Sequence, residues 1–210
     1  MSLVLYHHPF SRAAGTLWML EELGLDYELR FVNMMTGAQK APELLALNPM
    51  GKLPILVDGE AVVTESAAIG LYLADRYALG RLAPELDDPR RATYLRWILF
   101  APSVIEPGLM AKAAKWEFKS GSAGWGDHAT MLDAMEKAIG DGPYLLGEQF
   151  TMADVIFGGT VRWMLQFNML EQRPTFTAYA ERLGAREANQ RAQARNATVM
   201  QEQGIEAPGS

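Results

Sequence analysis

NPMGKLPILVDGEAVVTES, residues 48–66, is the stretch whose reading decides the fold of this 210-residue chain. Asn48, Pro49 and Gly51 are turn formers. Pro54 then opens the apolar run Ile55-Leu56-Val57, and proline inside a sheet is tolerated only at a strand start, an edge or a bulge. Asp58-Gly59 is a tight-turn dipeptide, and Ala61-Val62-Val63 reads as the return strand. Thr64-Glu65-Ser66 sets a capping residue, an acid and a hydroxyl at the positive end of an apolar-periodic helix that runs to about Tyr77.

Upstream, Leu3 to Tyr6 reads as a first strand and His7-His8-Pro9-Phe10 as a loop, with the two histidines as loop or capping residues. Ser11 is an N-cap for a helix from Arg12 to Leu23, closed by Gly24. Asp26 to Val32 reads as a second strand, Asn33 to Lys40 as a loop, and Pro42 to Leu47 as one short helical turn. The order is βαβ-α-ββα.

Downstream, residues 79–89 break the periodicity and form a linker. From about Asp88 the pattern is helical throughout. Pro102 and Pro107 must kink or break the segment from Arg90 to Phe118. A further helix is expected from Trp125 to Ile139, and Pro174 and Gly184 mark later breaks. In Leu146–Asp154, the Thr151 side chain is expected to cap the Asp154 N–H. The Asp154 carboxylate returns to the Thr151 N–H, and Phe150 staples onto Val155. Residues 202–210 have little apolar anchoring and are expected to fray.

Hydrophobic residues make up 49% of the chain and charged ones 21%, as in ordinary globular domains, and the net charge of −6 offers nucleic acid or an anionic membrane no basic field. Leu3-Val4-Leu5 is too short an apolar run for a signal segment. The apolar stretch Met152 to Leu170 is interrupted by Asp154, Arg162, Gln166 and Asn168, which fits a buried helix and not a membrane span. Cytoplasmic residence is the default expectation. The chain has no cysteine, so disulfides, thiolate zinc sites and a cysteine nucleophile are excluded, and any thiol chemistry must use a ligand's thiol. Three histidines, at 7, 8 and 128, lack ligand spacing, and no metal is expected.

The ordered string NPxGKLPxLxDG…TES, with LYHHPFSRAAGTLWMLEELGLDYEL at residues 5–29 and the Leu146–Asp154 motif, resembles the glutathione S-transferase family. Within it the chain looks closest to bacterial and fungal members with Ser-Arg-Ala near the first helix. The resemblance implies a thioredoxin-like α/β domain over residues 1–79 and an all-helical domain over residues 88–210. It also implies glutathione as co-substrate, an apolar electrophile as second substrate, and a homodimer, for which Met50 in its turn is a contact candidate. Leu53 ahead of a cis Pro54 would pair with the cysteinyl backbone of glutathione, and Glu65 with Ser66 would hold its γ-glutamyl end. Gln39, Lys40 and Lys52 are candidates for its glycine carboxylate.

For the sulfur the resemblance offers Ser11, with Tyr6 and Arg12 as rivals. The bland reading of Ser11 is a plain N-cap. A free thiol titrates near 8.5, and lowering that by about two pH units takes about 2.7 kcal/mol. A hydrogen bond to charged sulfur supplies roughly 1.5–3 kcal/mol and a helix N-terminus about 0.3–1 more, so neither base nor metal is required. Ser103, Val104, Met110, Trp116, Trp163 and Phe167 are candidates for the second substrate's wall, though most such residues are plain core. Two rivals to conjugation stand: a glutathione-dependent disulfide reductase or peroxidase, and an idle binding module of the same fold.

Overall fold

The computed structural model describes residues 3–206. Its contacts divide the chain into two compact units, Met1–Leu73 with Arg186–Ser210, and Ala74–Ala185.

The first unit is built on a four-stranded sheet of order β2-β1-β3-β4. β1 (Leu3–His7) and β2 (Tyr27–Phe31) are parallel, a pairing that needs a crossover, which helix α1 (Ala13–Leu23) provides. The expected terminator holds: Gly24 takes φ +69° and returns its N–H to Leu20 O. After two 3₁₀ turns (Met34–Thr36 and Ala38–Lys40) comes α2 (Pro42–Leu47), then the hairpin β3 (Ile55–Asp58) and β4 (Ala61–Thr64), and α3 (Ser66–Tyr77). Asp58 pairs with Ala61, so the turn residues are Gly59 and Glu60, one step later than Asp58-Gly59 suggested. Gly59 supplies the positive φ such a turn requires. Interior strand β1 is covered on both faces, while edge strand β2 alternates.

The second unit is helical: α4 (Arg90–Phe100), α5 (Glu106–Ala113), α6 (His128–Ile139), α7 (Gly159–Gln166) and α8 (Pro174–Gly184). A five-residue π turn, Ala101–Ile105, joins α4 to α5 and carries Pro102. The proline therefore widens the helix locally and does not end it. α6 begins at His128, not Trp125, because Gly126 takes φ +66° and Asp127 caps the Thr130 N–H at 2.9 Å. Among the described residues no helix is long and apolar enough to cross a membrane.

Buried Asp154 anchors this unit. Its carboxylate accepts the N–H groups of Leu145 and Thr151 and the Tyr179 hydroxyl, each at 2.8 Å. The expected return to Thr151 is thus present. Thr151 Oγ1, however, donates to Asp154 Oδ2 at 3.1 Å and does not cap Asp154 N–H, which is already taken by the Thr151 carbonyl at 3.0 Å. The Phe150 ring lies edge-on to Tyr144 at 5.2 Å. Burial pushes the Asp154 carboxyl above its ordinary value, and the donors around it pull the other way.

The last helix, α9 (Glu187–Glu202), lay in the helical half on the sequence reading. It packs against α1 of the first unit. Arg186 forks onto Glu22 at 2.7 and 2.8 Å, Arg191 Nε reaches Glu21 at 2.8 Å, and His7 Nε2 lies 2.7 Å from Asn196 Oδ1. His7 is the buried last residue of β1, not a loop residue. Of the terminus expected to fray, residues 207–210 lie outside the described residues.

Two tests follow from these contacts. Asp154→Ala strands four buried donors and should cost at least about 3 kcal/mol, with Asp154→Asn losing less because one acceptor survives. Thermal melting should show a fall of roughly 10 °C for alanine, and an unchanged melt would deny Asp154 this anchoring role. Burial lowers the His7 pKa from 6.5 to about 4, partly offset by its bond to Asn196. The unfolded chain therefore binds the extra proton first. The stability from neutral His7 is complete above about pH 6.5 and is lost as pH falls towards 4, at most about 3 kcal/mol in all. Urea unfolding from pH 7 to 4 should show this loss in wild type and not in His7→Gln; equal slopes would refute it.

Candidate functional site

Strand register gathers the candidates of the first unit at one end of the sheet. Tyr6, next to last in β1, lies opposite Ile55, which opens β3, and Ile55 lies opposite Thr64, which closes β4. Because both pairings are antiparallel, the turn leaving β1, the segment entering β3 and the turn leaving β4 share that end. These carry Ser11, Leu53-Pro54 and Glu65-Ser66 respectively.

The first turn is held by Ser11. Its N–H and its hydroxyl both donate to the His8 carbonyl, at 3.0 and 2.8 Å, and its Oγ accepts the Ala13 N–H at 3.1 Å. Arg12 occupies the formal N-cap of α1 with helical backbone angles. Ser11 therefore sits one residue further out than expected while still satisfying a first-turn N–H. Rotating its hydroxyl towards a ligand leaves the His8 carbonyl paired to the Ser11 N–H. Tyr6 is differently engaged: Arg30, its parallel partner on β2, donates to its hydroxyl at 3.0 Å and lies over its ring.

The Leu53-Pro54 peptide bond is cis. Leu53 is buried in a cluster with Ala13, Val32, Leu44 and Ile55, and neither its N–H nor its C=O is among the paired backbone groups of the described residues. Buried backbone groups are normally paired, so this pair is an exception. The preceding loop is stapled by buried Asn48, whose Nδ2 donates to Lys52 O at 2.9 Å and whose Oδ1 accepts Met50 N–H at 3.1 Å. Sequence reading saw Asn48 only as turn chemistry; Asn-Pro was the signal for more.

Glu65 is a non-glycine residue at φ +67°, a conformation that costs of order 1 kcal/mol or more and clusters at ligand sites. Its carbonyl accepts the Ile69 N–H, so Glu65, not Thr64, opens α3. Glu65 is exposed, and it directly precedes Ser66 and Ala67, whose first-turn N–H groups a helix leaves without intrahelical partners. The 3₁₀ turn bearing Gln39 and Lys40 abuts the same loop. A β-carbon added at Gly51 would lie 3.3 Å from Lys40 Cγ and 3.6 Å from Gln39 O. Gln39 Oε1 is buried without a partner, and Lys40 and Lys52 are exposed.

In the second unit, Ser103 and Val104 lie in the π turn, with the Ser103 hydroxyl bonded to Leu99 O at 2.5 Å. Trp163 and Phe167 are paired rings 4.7 Å apart. Met110, Trp116 and Phe167 are exposed apolar side chains. Among the described residues no group of three or more His, Asp or Glu is gathered as metal ligands would be.

Comparison with known proteins assigns this architecture. Residues 1–75 match the glutathione S-transferase N-terminal domain and residues 122–182 the glutathione S-transferase C-terminal domain. Glutathione S-transferase 3 of Zea mays is 34% identical over 164 residues, covering 72% of this chain and 73% of that protein. A glutathione transferase from Phanerochaete chrysosporium, crystallised with oxidized glutathione, superposes with a TM-score of 0.78 at 27% identity, over 94% of this chain and 97% of that one. A glutathione transferase homologue from Sulfitobacter, with bound glutathione, does so with 0.75 at 25% identity, over 92% and 98%. Both domain matches, in this order and over this sheet and helical unit, lead to one conclusion: the chain belongs to the glutathione S-transferase family.

Proposed function

We propose that this chain is a glutathione transferase, an enzyme that joins the thiolate of glutathione to an electrophilic small molecule. The observation that carries the reading is the shared end of the sheet. There a rotatable hydroxyl, an unpaired backbone amide and an acid at a helix N-terminus stand together in a chain of this family. Leu53 pairs with the cysteinyl backbone of glutathione. Glu65 answers its ammonium, while Ser66 and the α3 N–H groups answer its α-carboxylate. Gln39, Lys40 and Lys52 receive the glycine carboxylate at the other side of the Asn48 loop.

Ser11 turns its hydroxyl from the His8 carbonyl to the sulfur and stabilises the thiolate, with the α1 N-terminus adding to it. The thiol proton leaves to solvent. The sulfur lone pair then forms a bond to the electrophilic carbon, whose leaving group departs with the electron pair of the broken bond. Tyr6 and Arg12 are the alternatives for the same task. The second substrate is an apolar electrophile, met by Ser103, Val104, Met110, Trp116, Trp163 and Phe167 of the helical unit. A role in detoxification and cytoplasmic residence accompany this reading on family grounds, as does a domain boundary between residues 79 and 88.

Ser11→Ala should raise the pH at which bound glutathione ionises and lower turnover near neutrality about ten- to a hundredfold, with the deficit shrinking at high pH. Glu65→Ala should instead raise KM for glutathione far more than that for the electrophile. Thiolate absorbance against pH and steady-state kinetics read both. A Ser11→Ala titration that overlays wild type would move the role to Tyr6 or Arg12, and unchanged glutathione binding in Glu65→Ala would move the site elsewhere.

A homodimer is proposed with this function. Its support, beyond the family, is Met50, which is 70% exposed in the Asn48 loop. The mass in solution at micromolar concentration should be twice that of the chain, and a monomer would reject it.

A further inference from the structure

His8 lies between the strand and the turn that carries Ser11, and it is bonded through its ring Nδ1 and its main-chain carbonyl, while Nε2 is buried with no partner among the described residues. Its side chain is 1% exposed, and its ring packs between Phe10 and Phe31 at centroid distances of 5.9 and 5.6 Å. Nδ1 accepts the Phe10 N–H at 3.1 Å, so in the neutral ring the proton sits on Nε2. The carbonyl of the same residue receives both donors of Ser11. Ser11 Oγ then receives the Ala13 N–H, and the Ser11 carbonyl the Ala14 N–H at 3.1 Å, which ties the turn into α1. A histidine present only to fill core would need its ring. The acceptor at Nδ1 does something else: it fixes the Phe10 amide, and with it the plane of the Pro9–Phe10 peptide, while the His8 carbonyl holds the next peptide through the Ser11 N–H.

We propose that His8 is a positioning residue for the thiol chemistry, its Nδ1 acceptor and its carbonyl together fixing the Phe10–Ala13 turn so that the donors of that turn meet the glutathione sulfur. The proposal rests on the reading of this site as a glutathione site. Burial holds the imidazole below its ordinary value and therefore neutral at pH 7, which the acceptor role requires.

The test separates ring from acceptor. His8→Phe keeps an aromatic ring against Phe10 and Phe31 and removes the acceptor; His8→Asn returns an acceptor oxygen near the place of Nδ1. His8→Phe should raise the pH at which bound glutathione ionises and lower kcat near neutrality about tenfold. KM for glutathione should stay within about twofold, because Leu53, Glu65 and Ser66 are untouched. His8→Asn should recover most of the loss.

A folded His8→Phe protein with the wild-type titration overturns the proposal. So does a loss that His8→Asn fails to recover, since ring shape would then be the cause. Ser11→Ala, measured alongside, keeps the two readings distinct. If it shifts the titration and His8→Phe does not, only the His8 proposal fails. If His8→Phe shifts it and Ser11→Ala does not, the turn acts through its backbone donors and Ser11 loses its role. Should His8→Phe not fold, nitrogen NMR of the wild-type imidazole decides. An unprotonated Nδ1 whose resonance moves when glutathione binds supports the assignment, and a protonated or unresponsive Nδ1 overturns it.

Discussion

The pairing of Tyr6 with Ile55, and of Ile55 with Thr64, is the constraint on which the site depends. Side chains alternate along a strand, so a slip of one residue would swap the faces to which Ile55 and Leu56 point, undo the packing on both, and pull Leu53 out of its cluster with Ala13. The hydrophobic pattern makes that slip costly: Leu5, Ile55 and Leu56 are all essentially inaccessible. Core packing therefore does the aligning, and three segments from separate parts of the chain arrive at one end of the sheet. This is how a fold gives precise placement to groups that have little energy of their own.

Much of this was readable in the chain. Turn formers at Asn48-Pro49 and Asp58-Gly59 bracketed the β3 region, Gly24 closed α1, and the Thr-Glu-Ser string announced α3. Local rules sufficed there because each feature is settled by its neighbours. The site was readable as a set of residue types but not as a set of bonds. Nothing local says that the Ser11 hydroxyl divides itself between His8 and Ala13, that Glu65 adopts left-handed backbone angles, or that Asn48 staples Lys52 and Met50. Those follow from where the chain is forced to turn once the sheet has formed.

The placement of α9 is of a different kind. α9 has a polar, charge-rich sequence that gives no hint of its partner, and its contacts with Glu21, Glu22 and His7 are separated by more than 150 positions. Periodicity is blind to such separations. Tyr179 joining the Asp154 anchor is a smaller instance, since its hydroxyl arrives from another helix 25 positions away.

The Arg186–Glu22 fork carries an implication for how the molecule is made. Glu22 is almost fully buried beside Trp18, and an unpaired buried carboxylate is costly. The ribosome delivers its partner 164 residues later. During synthesis the face of α1 that α9 later covers stays exposed to solvent, and the Glu22–Arg186 pair forms only after the intervening helical unit has been made. Loops of that length are slow to close. The late strap makes the amino-terminal unit complete only once everything between its two pieces has been made, which ties its maturity to the presence of the second unit.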